Sequence, residues 1–570
     1  MLLKRFTALL GILFLLGCAN TQGAKQKSAT SVHPDLAAHS QEFKQEIIRV
    51  TDGIYVAVGF GLANSVLLEG EDGVVIVDTL ESAEAARPVK EAFRRISAKP
   101  VKAIILTHFH TDHTFGAKVM AGEDKPAVWA HESTLYWLNR VVNVTRDTVY
   151  RRSMRQFGSL LPEAEFINSG IGPRLIFDAK SAPALILPDK TFPGERMELN
   201  ISGIQMVLVH APGETPDQIV VWLPDKKVLL AADNFYKSFP NLYAIRGTAY
   251  RDVLLWVQSL DIMKDLKAEY LVPLHTRPLF GAETIQETLT NYRDAIQYVH
   301  DQTVRWMNRG LAPDEIVRRV KLPPHLAEKP YLQEYYGTVA WSVRGVFDGY
   351  MGWFGGDATD LFPLPNEERA KRFADLAGGK EALLEKARRA FTAGDYQWAL
   401  ELTDQILQLN FENQETGRLK GAALRALGTR QTSAPARNYY LTQALEAEGK
   451  LEIGKPTLSG DKELIHQIPL EAIFKAMAVR LDPLKSGDVD QVVGFRFSDT
   501  GEAFMIHVRR GVAEIQPRFP ENPDLTVTVA SRVWKEMLSG IRNPLMAMGT
   551  EMKVEGGILN LIRFLRMFQG

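Results

Sequence analysis

Cysteine is nearly absent: Cys18 is the only one in 570 residues. A lone thiol closes no intrachain disulfide and builds no thiolate metal cage, so any metal chemistry must use other donors. Surplus charge of either sign is missing too, with 67 Lys and Arg against 68 Asp and Glu and a formal net charge of -1. With no basic excess to neutralise phosphates, the chain does not read as a nucleic-acid binder. Runs long enough to span a bilayer are lacking; the apolar stretch over 6–16 is too short. Histidine is scarce, at 12 residues, yet three of those 12 fall within six positions.

The three lie in Thr107-His-Phe-His-Thr-Asp-His113, directly after the apolar run 101–106. His108 and His110 alternate, so both can point one way if the strand ends extended. Asp112 and His113 follow across a turn and can address a second position nearby. Imidazole and carboxylate donors suit Zn2+ or a similar borderline metal. The spacing therefore predicts two adjacent metals. The bland alternative, a solvated His-rich loop, does not explain the buried strand that feeds it.

At the N-terminus Lys4 and Arg5 precede the run 6–16, which ends in Leu15-Leu-Gly-Cys18. A charged segment, a short apolar segment and a small residue before the cut describe a signal peptide. The Leu-x-Gly-Cys ending resembles a bacterial lipobox, which implies that Cys18 carries a lipid anchor and becomes the mature N-terminus, with no cysteine in the rest of the chain. The polar stretch after it reads as a tether to residue 41. These features predict a cell-envelope location, and Ala19 in place of aspartate favours the outer membrane if the organism is Gram-negative.

From about residue 42 to 282 strands and helices alternate. Residues 53–58, 65–68, 74–78, 101–106, 204–209, 219–222, 227–233 and 270–275 read as strands, and 82–96 as a helix. Residues 283–450 read as mostly helical. Within them 382–427 predicts two amphipathic helices around a Gly394-Asp-Tyr396 turn, one helical hairpin rather than a repeat array. The aromatic-glycine loop 351–356 is expected to pack against the catalytic domain. Residues 451–570 carry short strands, a helix through Trp534 and a Met-rich apolar end, which predicts a small α+β domain with a soft interior.

Further metal donors should sit at other strand ends. Glu214 follows the strand ending at Val209, Asp233 ends the next strong one, and His275 ends the last. With His108, His110, Asp112 and His113 this set resembles the metallo-β-lactamase superfamily, whose fold is an αββα sandwich. Glu214, where most members carry histidine, resembles the superfamily's alkylsulfatase branch. So do Asn241-Leu-Tyr-Ala-Ile-Arg-Gly247 and Arg251, Leu322-Pro-Pro, Tyr335-Tyr-Gly and Gly352-Trp-Phe-Gly-Gly. The resemblance implies a helical dimerisation domain, a homodimer and a C-terminal sterol-carrier-like domain. It assigns His108, His110 and Glu214 to one metal and Asp112, His113 and His275 to the other, with Asp233 bridging where that branch usually has glutamate. His131 and His210 are expected to be structural. Asp78, at another strand end, is expected to hold the His-rich loop from behind.

Asp112, Glu214 and Asp233 offset most of the charge of two divalent ions, so an anionic substrate needs a separate cation. Arg246 is that candidate, because a guanidinium matches paired oxygens; Asn241 can donate to a third. Asp112, Arg246 and Asn241 form the expected catalytic set. The resemblance implies hydrolysis of an alkyl sulfate ester, an amphiphile, with two divalent ions, most simply Zn2+. The rivals are a thioester, lactone or phosphoester hydrolase of the same superfamily, and a non-catalytic lipid-binding surface lipoprotein.

Overall fold

Strand alternation builds the catalytic body. In the computed structural model, which describes residues 32–176, 184–454 and 462–569, a seven-stranded sheet runs in chain order. Its strands are β1 (Glu46–Thr51), β2 (Ile54–Val58), β3 (Ser65–Glu69), β4 (Val74–Val77), β5 (Val101–Ile105), β6 (Ala127–His131) and β7 (Lys190–Phe192). The first four are antiparallel and the pairs from β4 to β7 are parallel. A six-stranded sheet holds β8 (Arg196–Ile201), β9 (Ile204–His210), β10 (Ile219–Leu223), β11 (Val228–Ala232), β12 (Tyr270–Pro273) and β13 (Leu279–Phe280), ordered from β13 back to β8.

The period of two sends alternate residues to opposite faces. Val75, Val77, Ala103 and Ile105 of one sheet meet Met206, Leu208, Val221 and Leu230 of the other in an inter-sheet core. The neighbours Val74, Ile76 and Ile104 face the helix Ala83–Ile96. Val207, Val209, Val220 and Leu229 face the helices Val253–Asp265 and Ala282–Met307. This is the αββα sandwich. The helix Ala282–Met307 contributes Ile285, Leu289, Ile296 and Val299 to that outer layer. The helix that starts at the expected boundary of 282/283 thus packs on the sandwich.

Two expectations change. The segment expected as a hairpin is three helices, Lys380–Thr392, Tyr396–Gln408 and Asn413–Gly428. The missed break lies where Asn410 and Glu412 take φ of 50° and 44°, a left-handed backbone that stops a helix; Asp395 caps the middle helix through Trp398 N. The aromatic-glycine loop is not buried within the chain: Trp353 is 73% exposed and Met351 60%.

The signal peptide and Cys18 lie outside the described residues, but part of the expected tether does not. The helix Pro34–His39 docks on the sandwich, with Leu36 and Phe43 buried and His39 Nε2 bonded to Gly170 O at 2.9 Å. Short apolar insertions in a polar stretch gave no periodic signal, which is why this anchor reads as tether. The C-terminal sheet adds β14 (Asp490–Phe497), β15 (Ala503–Arg509), β16 (Val512–Gln516), β17 (Leu525–Val529) and β18 (Met552–Glu555), ordered β16-β15-β14-β17-β18. Phe474, Phe495, Trp534 and Phe564 fill its core.

Leu36→Ala should destabilise the catalytic body by about 2–4 kcal/mol and expose the segment around residue 40 to protease. Urea denaturation and limited proteolysis measure both; an unchanged midpoint would show the docking to be incidental.

Candidate metal centre

All the predicted donors lie at the same end of the two sheets, where β4, β5, β9, β11 and β12 stop. Three of these ends leave ordinary backbone: Asp78, Ala232 and Thr276 take φ of 57°, 49° and 64°. Left-handed conformations at non-glycine residues cost about 1–2 kcal/mol each. Here they turn the chain just where Asp78, Asp233 and His275 must face one point. Such strain gathers at sites that the surrounding structure over-determines.

The donors form two triads. His108, His110 and Asp233 converge in one, and Asp112, His113 and His275 in the other. His108 Nε2 lies 2.9 Å from His110 Nδ1 and 3.6 Å from Asp233 Oδ2. In the second triad His113 Nε2 and His275 Nε2 are each 3.5 Å from Asp112 Oδ2. The same two nitrogens lie 3.3 and 3.2 Å from Asp233 Oδ2, so this carboxylate stands between the triads. Asp112 is 9% exposed; the others are more deeply buried.

Each remaining ring nitrogen is fixed from behind, which selects the inward one as donor. Asp78 Oδ2 accepts from His113 Nδ1 at 2.6 Å, and its carboxylate also takes Thr107 N–H and Oγ1–H at 2.8 and 2.7 Å. Thr107 Oγ1 in turn lies 3.0 Å from His108 Nδ1. His275 Nδ1 donates to Leu62 O at 2.9 Å. The expected role of Asp78 is thus what the geometry shows. His131 and His210 stack at 3.9 Å, and His210 Nε2 donates to Pro216 O, so both stay outside the donor set.

Glu214 is brought to the site but not into the triad with His108 and His110. Its Oε1 accepts from Arg251 Nη1 at 2.8 Å. Burial, against the opposing pull of Arg251 and with help from Asp233, pushes its carboxyl up to about 8. Its Oε2, with Asp233 Oδ1 and His113 Nε2, is buried with no hydrogen-bond partner among the described residues. Orphaned acceptors and an inward-facing imidazole nitrogen, all buried, are costly unless a cation completes them. The donor chemistry fits divalent ions.

The electrostatics divide the site: despite burial, the surrounding carboxylates push His113 and His275 up towards a charged form that a bound cation would replace. Burial opposes charge on Asp112, but His113 and His275 outweigh it and hold the carboxyl down at about 2. Burial drives His108 down to about 3, which keeps it neutral and able to donate a lone pair. Arg246 Nη2 lies 3.0 Å from His110 Nε2. Its backbone N–H donates to Gln156 Oε1, and Arg152 grips the preceding carbonyl of Ile245 at 2.7 Å. Asn241 is held by its backbone, with N–H to Tyr236 Oη at 2.8 Å and its carbonyl against Arg251. Sequence reasoning missed Glu81, a buried carboxylate one loop away, and gave Arg251 no role of its own. Neither sits in a periodic pattern that marks it.

Comparison with known proteins follows the same division of the chain. Residues 58–275 match the metallo-beta-lactamase superfamily, 312–450 alkyl sulfatase dimerisation and 458–570 the alkyl sulfatase C-terminal family. A linear primary-alkylsulfatase of Pseudomonas sp. is 39% identical over 521 residues, covering 88% of this chain and 98% of that protein. The alkyl/aryl-sulfatase of Saccharomyces cerevisiae is 28% identical, over 95% of this chain and 85% of its own. The solved stereoselective inverting sec-alkylsulfatase Pisa1 from Pseudomonas sp. superposes with a TM-score of 0.87 at 26% identity, over 95% of this chain and 87% of that one.

Asp78→Asn should weaken metal retention about 10–100-fold, since an amide can present an N–H to His113 in place of a lone pair. Competition with a chromophoric chelator measures it; wild-type retention would refute the role.

Proposed function

The chain belongs to the alkylsulfatase family, and on that footing we propose that it hydrolyses alkyl sulfate esters to alcohol and sulfate at a dinuclear metal centre. The observation that carries this is the pair of buried triads sharing Asp233, with Arg246 at their edge. His108, His110 and Glu214 would hold one ion, and Asp112, His113 and His275 the other, with Asp233 between them. Zn2+ is the proposed metal on donor type. Bound there, two divalent ions supply Lewis acidity and make water nucleophilic at neutral pH.

The chain's own residues do the rest. Arg246 offers a guanidinium fork to two sulfate oxygens, held in place through Gln156 and Arg152. Asn241 is proposed to donate to a third oxygen. Arg251 keeps Glu214 turned so that Oε2 points to the donors. For the alkyl tail we propose a cleft of about 590 Å³ between the C-terminal domain and Arg146, with Met477, Met548, Ile562 and Phe568 on its apolar side and Arg480 and Arg566 on its polar side. That supports the sterol-carrier-like reading of this domain. Attack at carbon expels sulfate, which leaves without a proton donor, and an inverting relative is consistent with that route.

Tyr350, Met351, Trp353, Phe362 and Leu376 expose apolar surface in the helical region. Exposed apolar side chains in the segment that matches alkyl sulfatase dimerisation call for a partner, and a second copy of the chain, forming a homodimer, is the proposed one. The lipid anchor at Cys18 and a cell-envelope location are proposed on the sequence of residues 4–18. Residues 34–43, read from the sequence as the end of the tether, belong instead to the folded catalytic body.

Purified protein should release sulfate from dodecyl sulfate and lose that activity on chelation. No bound metal and no release with any divalent supplement would sink the proposal. Hydrolysis in ¹⁸O water should place label in the alcohol. Arg246→Ala should lower kcat/KM about 10²–10³-fold while leaving metal content intact. Trp353→Asp should shift the dimer to monomer in sedimentation; an unchanged sedimentation coefficient would place the interface elsewhere.

A further inference from the structure

One loop follows β4: Asp78, Thr79, Leu80 and Glu81, before Ser82 caps the helix Ala83–Ile96. Asp78 fixes His113 directly. Glu81 has no ligand near enough to fix, yet it is 0% exposed. A buried carboxylate needs a reason, because its desolvation is expensive. Its partners are backbone. Oε1 and Oε2 both accept from Leu62 N–H at 3.1 Å, and Oε1 accepts from Ile176 N–H at 2.7 Å. Leu62 is the residue whose carbonyl takes the Nδ1–H of His275 at 2.9 Å.

The surroundings leave Leu62 little freedom. A Cβ on Gly172 would stand 2.1 Å from Leu62 O, and one on Gly61 would stand 2.6 Å from Glu81 Oε2. Asn64 clasps the segment around His275 through Pro273 O at 3.1 Å and Thr276 O at 2.7 Å. Leu80 takes φ of 70° although it is not glycine, and it is fully buried. That left-handed turn precedes Glu81 directly and helps set its course towards Leu62.

We propose that Glu81 is a positioning residue for the second metal: by anchoring Leu62 it fixes the carbonyl that orients His275, so that the loop after β4 keys both histidines of that site. Asp78 does so in one step and Glu81 through a backbone relay. In the first triad His108 is reached from Asp78 through Thr107 and His110 from Arg246, and the bonds of Glu81 lead to neither. The inference rests on the dinuclear reading above and predicts an asymmetry that reading alone does not contain.

The test is a zinc titration of the full-length protein against a chromophoric chelator, with Co2+ absorption as a second readout. Wild type should bind two equivalents. Glu81→Gln retains one acceptor but turns an N–H₂ towards backbone donors. It should weaken one equivalent about 10–100-fold, leave the other unchanged, and alter the same Co2+ bands as His275→Ala. If Glu81→Gln fails to fold, Gly61→Ala keeps the carboxylate, crowds it, and should give the same selective loss. Retention of both equivalents at wild-type affinity overturns the inference, and so does equal weakening of both, which marks a general structural role. A wild type that binds fewer than two equivalents fails earlier, and refutes the dinuclear reading itself.

Discussion

The structure depends on one constraint: four carboxylates, Asp78, Asp112, Glu214 and Asp233, and four histidines are held almost out of water at the shared end of two sheets. Asp78 and His113 are 0% exposed and Asp233 2%. Isolated, such charges would cost more than a domain's whole stability. They persist because each faces an opposite or neutral partner at 2.6–3.6 Å. Buried charge of this kind is destabilising unless every lone pair is used. The second-sphere bonds from Asp78, Thr107 and Leu62 use those facing away, and leave the ones facing inward.

This constraint explains the backbone. A sheet of regular strands would end with its side chains alternating across two faces. The left-handed residues Asp78, Ala232 and Thr276 break the alternation at three adjacent ends, so side chains from different strands can meet. The αββα body provides the stiffness for this. Its inter-sheet core of Val75, Val77, Ile105, Leu208 and Leu230 fixes the relative position of β4, β5, β9 and β11. The sandwich and the site are therefore one design: packed alternation below, interrupted alternation above.

How much of this was legible follows from what each feature leaves in sequence. The strands bearing donors show long apolar runs, and β3, β4, β5, β10 and β11 stand close to where the pattern placed them. Six of the seven predicted donors converge in the two triads, with Glu214 beside them, and they were legible because ligand-type residues at the ends of such runs are rare. β1, β6, β7 and β8 were not read as strands; β8 is an edge strand with alternating exposure and charged residues, which resembles surface loop. The break at 410–412 escaped because neither Asn410 nor Glu412 is a glycine, although both adopt glycine-like backbone. The docking of 34–43 escaped because it rests on two isolated apolar residues, Leu36 and Phe43.

Glu214 shows why a residue's nearness to a site can be read from sequence while its geometry cannot. Spacing from β9 places it near the donors, but Arg251, 37 residues later, decides which oxygen it turns to them. That guanidinium also takes the carbonyl of Asn241, so the residue that aims the carboxylate also sets the start of the loop leading to Arg246. A histidine at 214 would need no such partner, since it carries no charge to balance. Placing glutamate there recruits Arg251, and Arg251 ties the metal-facing turn to the loop that would face an anionic substrate. On this reading the change of ligand and the substrate-facing cation are one linked feature, which is why both occur together in this chain.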